Sequence, residues 1–98
     1  MVVDGLKHGP RLARDSSHAL RALQLLGRTI RRLRKQRGLS QMKLAELSGV
    51  HLNEISNVER GERDARATSL LKIARGLGVP VTALFDEFPP STVRRLRL

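Results

Sequence analysis

The stretch LSQMKLAELSGVHLNEISNVERG, from Leu39 to Gly61, contains two short helical patterns separated by a glycine. Its first half clusters apolar residues within one helical turn behind Ser40, whose hydroxyl can accept a hydrogen bond from the free amide groups at a helix start. This predicts a helix from about Gln41 to Ser48. Gly49 follows, and glycine enters the left-handed conformation without a steric penalty, so we expect a sharp turn there with Val50 as an apolar plug.

The second half predicts another short helix, from about Leu52 to Arg60. Ile55 and Val58 lie three residues apart and Gly61 stands just beyond the end. At roughly 100° per residue, with Ile55 and Val58 facing inward, Leu52 falls on the flank and a polar set points more than about 130° away. The members of this polar set are Asn53, Ser56, Asn57 and Arg60.

The predicted outward face carries two amides, a hydroxyl and one guanidinium. Such groups suit hydrogen bonding to base edges in DNA, where Asn can pair with adenine through two bonds and an apolar side chain can meet a thymine methyl group. An ordinary solvated helix face is the alternative, because Asn and Ser are common on any protein surface. The face by itself leaves both interpretations open.

The longer segment LSQMKLAELSGVHLNEISNVERGER closely resembles the Cro/C1-type (XRE-like) helix-turn-helix family of phage repressors, restriction-modification controller proteins and bacterial regulators. The resemblance covers about Leu26 to Phe85. Two departures stand out, because the family usually has Ser or Thr where this chain has His51, and often Arg, Gln or Ser where it has Leu52. The operator sequence of this protein therefore cannot be inferred from that of any relative.

The resemblance implies an all-α fold, a compact five-helix lambda-repressor-like DNA-binding domain, here with an extended N-terminal helix or arm. It further implies that the second helix enters the major groove, where Leu52, Asn53 and Asn57 face bases, joined by Ser56 from the outward face. Gln41 matches a position that holds a phosphate and braces the base-contacting side chains. The counterparts of Arg34 and Glu59 pair with each other, so we assign these two residues to architecture.

The net charge of +10 points to a nucleic-acid partner, but its distribution is uneven. Residues 1–38 hold ten Lys or Arg against two Asp, whereas residues 39–88 hold six basic and seven acidic groups and residues 89–98 add three Arg. The helix-turn-helix itself is not basic, so attraction to phosphates must come largely from the first helix and the tails. The predicted phosphate contacts are Gln41, Lys43, Arg60, Arg63 and Arg28.

Composition excludes several classes of protein. The chain has 98 residues, room for one modest domain, with two Phe, neither Tyr nor Trp, and no cysteine. No run is long and apolar enough for a membrane span, so we expect a cytoplasmic protein. The three histidines are scattered and no glycine-rich phosphate loop follows a strand, so we expect no metal, no cofactor and no catalysis.

Outside the central stretch, we expect a flexible basic arm over residues 1–15, the helix-turn-helix domain over residues 16–88 and a basic tail over residues 89–98, disordered or helical only on a partner. An apolar stripe predicts a first helix from Asp15 or Ser16 to about Gln36, either continuous or broken near Gly27. Similar patterns predict helices from about Ala67 to Leu77 and from Val81 to about Glu87.

Several alternatives remain open from the sequence. Leu84, Phe85 and Phe88 are candidates for a homodimer interface, or they cap the monomer core. The added helical part, Ser17 to Leu25, either offers a partner surface or packs onto the same core. A dimeric sequence-specific transcriptional regulator on double-stranded DNA is the favoured function. The others are a DNA-binding antitoxin that holds a partner protein through the N-terminal helix or C-terminal tail, and an interaction adaptor that kept the fold without binding DNA.

Overall fold

One long helix and several short ones make up the part of the chain that the computed structural model describes, which is residues 4–96 for the backbone and residues 18–96 for the side chains. No strand occurs in residues 4–96, so the predicted all-α class is confirmed. The elements in chain order are α1 (Asp4–Gln36), α2 (Gln41–Ser48), α3 (Leu52–Arg60), α4 (Ala67–Leu77), a 3₁₀ helix (Val81–Phe85) and α5 (Pro90–Arg95).

Helix α1 is longer than the sequence pattern predicted. It runs without a break from Asp4 to Gln36, 33 residues, so the stretch expected to be a flexible arm is helical from Asp4 onward. Gly5, Gly9 and Pro10 suggested the arm, but adding residues to an existing helix costs far less than starting one, and the C-terminal half of α1 is anchored in the core. Residues 1–3 of the predicted arm lie outside the described residues.

Gly27 marks a close helix crossing and not a break in α1. A Cβ atom at this position would overlap the backbone carbonyl oxygens of Val58 and Glu59 in α3. At the same crossing, a Cβ atom on Gly61 would lie 2.7 Å from the Cα atom of Gln24. Glycine at these two positions therefore lets the end of α3 approach the backbone of α1.

The turn between α2 and α3 forms as its residues predict. The backbone amide of Lys43 donates to Ser40 Oγ at 2.9 Å, which caps α2. Gly49 then takes a φ of 76° and its amide donates to the Ala45 carbonyl at 2.9 Å. Val50 is buried behind the turn, 5% exposed. The bounds of α2, α3 and α4 are those that the sequence predicted.

The core is aliphatic and draws on α1, α2, α3, α4 and the 3₁₀ helix. Each of these five elements contributes one fully buried member, 0% exposed, and burying each such side chain is worth roughly 1.5–3 kcal/mol. They are Ile30, Leu44, Ile55, Ile73 and Leu84. Ala22 of the added part of α1 is 7% exposed, which favours packing onto the core over a partner surface, although Leu20 stays 39% exposed.

The C-terminal region corrects three predictions. The fifth predicted helix is a 3₁₀ turn that ends at Phe85, short of Glu87. Leu84 is 0% exposed inside the monomer and therefore cannot contact a second subunit, so its assignment to an interface is wrong. The tail, expected to be disordered or helical only on a partner, contains helix α5, which packs against α1 of the same chain.

No helix in residues 4–96 is both long and apolar enough to cross a bilayer.

Candidate nucleic-acid interface

The outer face of α3, meaning Asn53, Ser56, Asn57 and Arg60, lies opposite the buried Ile55 and Val58. Asn53 and Arg60 are exposed, Ser56 and Asn57 are half-buried, and Leu52 on the flank is 39% exposed. All the predicted base-contacting side chains thus share one accessible side of one short helix. This side offers hydrogen-bonding groups and a single apolar group, a combination that suits base edges.

Arg60 folds back along this face. Its Nη1 donates to Ser56 Oγ and its Nη2 to Asn57 Oδ1, both at 2.6 Å, while its Nε lies 3.1 Å from Glu62 Oε2. Long side chains on a helix point toward its N-terminus, which places Arg60 over the residues three and four positions earlier. Arg60 was predicted to hold a phosphate, and in this structure its guanidinium contacts Ser56 and Asn57, two of the predicted base contacts.

Arg34 and Glu59 form a two-pronged ion pair that joins α1 to the end of α3. Arg34 Nε donates to Glu59 Oε2 at 2.7 Å and Arg34 Nη2 to Glu59 Oε1 at 3.0 Å. The side chains are only 9% and 3% exposed. Arg34 Nη1 also donates to the Leu39 carbonyl at 2.7 Å, so neither charge is left without partners.

Gln41 joins the same network from the first residue of α2. Its Nε2 donates to Glu59 Oε1 at 3.0 Å. Three helices therefore meet at the Glu59 carboxylate, and these bonds hold α3 in a fixed orientation relative to α1 and α2. The amide of Gln41 also has a second N–H, which remains available for the predicted phosphate contact.

Glu54 has a role that sequence reasoning missed. Its carboxylate accepts a hydrogen bond from Ser69 Oγ and lies 3.9 Å from Arg66 Nε. The carboxylate therefore ties the first turn of α3 to α4 and its loop. The sequence offered only a weak signal, a single acidic residue on the flank of a face whose one other charge is Arg60.

The other predicted phosphate contacts are exposed but dispersed. Arg63 lines a depression beside Leu52, Asn53 and Asn57, so the structure brings it to the outer face of α3. Lys43 lies on α2, where its Nζ is 3.0 Å from Glu46 Oε1, and Arg28 lies exposed on α1. Neither of them lines that depression.

Within the described side chains, no group of three His, Asp or Glu could hold a metal ion. His51 precedes α3 and makes no capping hydrogen bond.

Two short helices around a glycine turn, with the polar face of the second turned outward, define a helix-turn-helix module. The family model described as HTH_3, helix-turn-helix, matches residues 30–84. The chain belongs to this helix-turn-helix family.

Relatives carry the same module in regulators of different lengths. The chain is 38% identical over 64 residues to the control protein C.SmaI of Serratia marcescens, covering 65% of this chain and 76% of that protein. It is also 38% identical over 69 residues to the HTH-type transcriptional regulator SutR of Escherichia coli (strain K12), covering 70% of this chain but only 38% of SutR. The chain thus spans well under half the length of SutR.

A solved structure shares the fold and much of the sequence. The restriction-modification controller protein C.AhdI from Aeromonas hydrophila superposes with a TM-score of 0.63 and 40% identity, covering 64% of this chain and 96% of that one. The family model begins at residue 30, so most of α1 precedes the matched part.

Proposed function

We propose that the protein is a sequence-specific regulator of transcription, of the repressor or controller type, that inserts α3 into the major groove of double-stranded DNA. The observation that carries this proposal is the outer face of α3, whose hydrogen-bonding groups are accessible while Glu59 at the end of the same helix is locked to α1 and α2. A rigid support of this kind keeps base-contacting side chains in place before binding. The relatives named as regulators and control proteins add support.

Base contacts in this proposal come from Leu52, Asn53, Ser56 and Asn57. Gln41, Lys43, Arg63 and Arg28 contact phosphates and position the helix without selecting sequence. Because residues 39–88 carry one more acidic than basic group, the general attraction to DNA depends on α1 and the basic C-terminal end. Binding to bacterial DNA would place the protein in the cytoplasm, at the nucleoid.

The proposed regulator acts as a homodimer, with one α3 in each half-site. Phe85, 40% exposed, and the half-buried Phe88 remain the interface candidates, and their rings pack edge to face with centroids 5.7 Å apart. Two copies of α3 related by a two-fold axis would recognise half-sites about one helical turn of DNA apart.

Selection of bound duplexes from a random pool at physiological salt tests this function. The expected result is a symmetric sequence with two half-sites about 10 base pairs apart, centre to centre. Recovery of random sequences would contradict it and would favour the adaptor that kept the fold without binding DNA. Stable co-purification with the product of a neighbouring gene would instead support the alternative function, a DNA-binding antitoxin.

A further inference from the structure

All three nitrogens of the Arg60 guanidinium have an acceptor within reach. Nη1 lies 2.6 Å from Ser56 Oγ, Nη2 lies 2.6 Å from Asn57 Oδ1, and Nε lies 3.1 Å from Glu62 Oε2. The two side chains that Arg60 contacts on α3 are both candidates for base contacts. Its position therefore affects what those side chains can offer to DNA.

The contact with Arg60 fixes the orientation of the Asn57 amide. A guanidinium has only donors, so the carboxamide must turn its oxygen toward Arg60 and its NH₂ group away. The usual two-bond contact of Asn with adenine needs both the oxygen and the NH₂ group on the same base. Accepting from Arg60 uses one of the two lone pairs of the Asn57 oxygen, so the free hydrogen-bonding groups of the amide are mainly its two N–H donors.

Ser56 is affected in the same way. Its Oγ accepts from Arg60, which leaves the hydroxyl hydrogen free to donate elsewhere. Each Nη of Arg60 also keeps one N–H that its intramolecular contact does not use. Three neighbouring side chains therefore present donors together.

Asn53 provides a contrast on the same helix. Within the described part of the chain, no hydrogen bond joins its exposed side chain to another residue. Both the oxygen and the NH₂ group of Asn53 can contact one base, as adenine requires.

We propose that Arg60 is a positioning residue that sets base specificity, and that Ser56, Asn57 and Arg60 act together as a donor unit selecting guanine. In the major groove, guanine presents two neighbouring acceptors, N7 and O6, whereas adenine places the N6 donor beside N7, cytosine presents a donor and thymine presents one acceptor beside a methyl group. Guanine therefore best matches a surface on which donors predominate. The inference rests on the proposed function and adds the base that part of α3 recognises.

Glu62, the second residue after the end of α3, stabilises this arrangement. Its carboxylate holds the Nε edge of Arg60, which keeps the guanidinium along α3 instead of extended toward a phosphate. The two side chains are 51% and 58% exposed, so salt screens their attraction and the geometry depends mainly on the two hydrogen bonds to α3.

Two substitutions at Arg60 separate positioning from charge. Arg60→Met keeps an unbranched apolar stem and removes every donor, while Arg60→Lys keeps the charge on a single nitrogen that lacks the planar fork needed to hold both Ser56 and Asn57. Affinity is measured for the wild type, both variants and Asn57→Ala against a panel in which every operator position carries each of the four bases. The position where Asn57→Ala loses discrimination identifies the base pair that Asn57 faces.

At that position the wild type is expected to prefer guanine. Both Arg60 variants are expected to shift the preference toward adenine by about tenfold, because the freed Asn57 oxygen can accept from adenine N6. Arg60→Lys should retain more overall affinity than Arg60→Met, since it keeps a charge near the phosphates. Thermal melts should stay close to the wild type, because the Arg60 side chain is half exposed.

Two results would overturn the inference while leaving the proposed function intact. One is an adenine preference at that position in the wild type. The other is an unchanged guanine preference in both Arg60 variants, with affinity lowered equally for all four bases, which is the behaviour of a phosphate contact. A wild-type protein that binds every duplex equally would instead contradict the proposed function itself.

Discussion

Arg34 and Glu59 face each other as a two-pronged ion pair between α1 and α3, with N–O distances of 2.7 and 3.0 Å. The pair lies at the C-terminal end of α3, and Gln41 joins it from α2. Removing one partner of such a pair leaves a buried charge without compensation, which costs far more than a surface pair is worth.

Glu59→Ala should therefore destabilise the domain before it changes base preference. Losing one member of a buried pair costs about 3–5 kcal/mol, which corresponds to a fall of more than roughly 10 °C in melting temperature for a domain of this size. Circular dichroism melts measure the effect. Glu46→Ala, which removes the exposed partner of Lys43, is the matched control and should change the melting temperature little. Equal melting curves for the wild type and Glu59→Ala would refute the structural role.

Gly27→Ala tests the close crossing of α1 and α3. Alanine normally stabilises a helix interior by about 1 kcal/mol relative to glycine, so a substitution without a packing conflict should raise stability. Here the added methyl group meets backbone carbonyl oxygens of α3, and we expect a net loss of about 1–3 kcal/mol. Gly76→Ala is the control, because its nearest atoms, Ser48 Cβ at 3.0 Å and Ser48 N and Leu44 Cδ1 at 3.1 Å, would need to shift by only a few tenths of an ångström. If denaturant titration showed that Gly27→Ala is more stable than the wild type, the close approach of α1 and α3 would not require glycine at this position.

Base-contacting and phosphate-contacting residues should differ in their dependence on sequence and salt. Asn53→Ala should cost roughly 1–3 kcal/mol on the operator and little on unrelated DNA. Arg28→Ala or Arg63→Ala should weaken binding to both and lower the slope of log affinity against log salt by about 1. Fluorescence anisotropy at several salt concentrations measures both quantities. An equal loss of affinity on both kinds of DNA for all three variants would contradict the division into base-contacting and phosphate-contacting residues.

Substitutions at the neighbouring residues Leu84 and Phe85 should affect different properties, stability for Leu84 and dimer formation for Phe85. Phe85→Asp puts a charge on an exposed ring position and should shift a dimer toward monomer in sedimentation equilibrium. Leu84→Ala should lower stability by about 2–5 kcal/mol through a cavity and leave the association constant unchanged. Dissociation by Leu84→Ala alone, with no effect of Phe85→Asp, would place the interface elsewhere.

The sequence predicted the central elements closely because their signals are local. Ser40, Gly49 and Gly61 mark helix ends through capping and left-handed backbone conformations, and the spacing of Ile55 and Val58 fixes the side of α3 that faces inward. The Arg34 and Glu59 pair followed from family resemblance, since residues 25 positions apart give no local signal.

The features that the sequence did not predict depend on tertiary contacts. Gly27 fits a helix break and a close crossing equally well until the carbonyl groups of α3 are placed beside it. The position of Arg60 depends on its rotamer, which no residue pattern specifies. Glu54 is near Ser69 only after α4 packs against the rest of the domain.

The most direct test of the central claim compares the operator with a scrambled duplex of equal length for the wild type and the double variant Asn53→Ala/Asn57→Ala. If α3 recognises bases, the ratio of the two affinities should fall by at least about tenfold in the variant, while affinity for the scrambled duplex stays the same. An unchanged ratio, or an equal loss on both duplexes, would contradict base recognition by the outer face of α3.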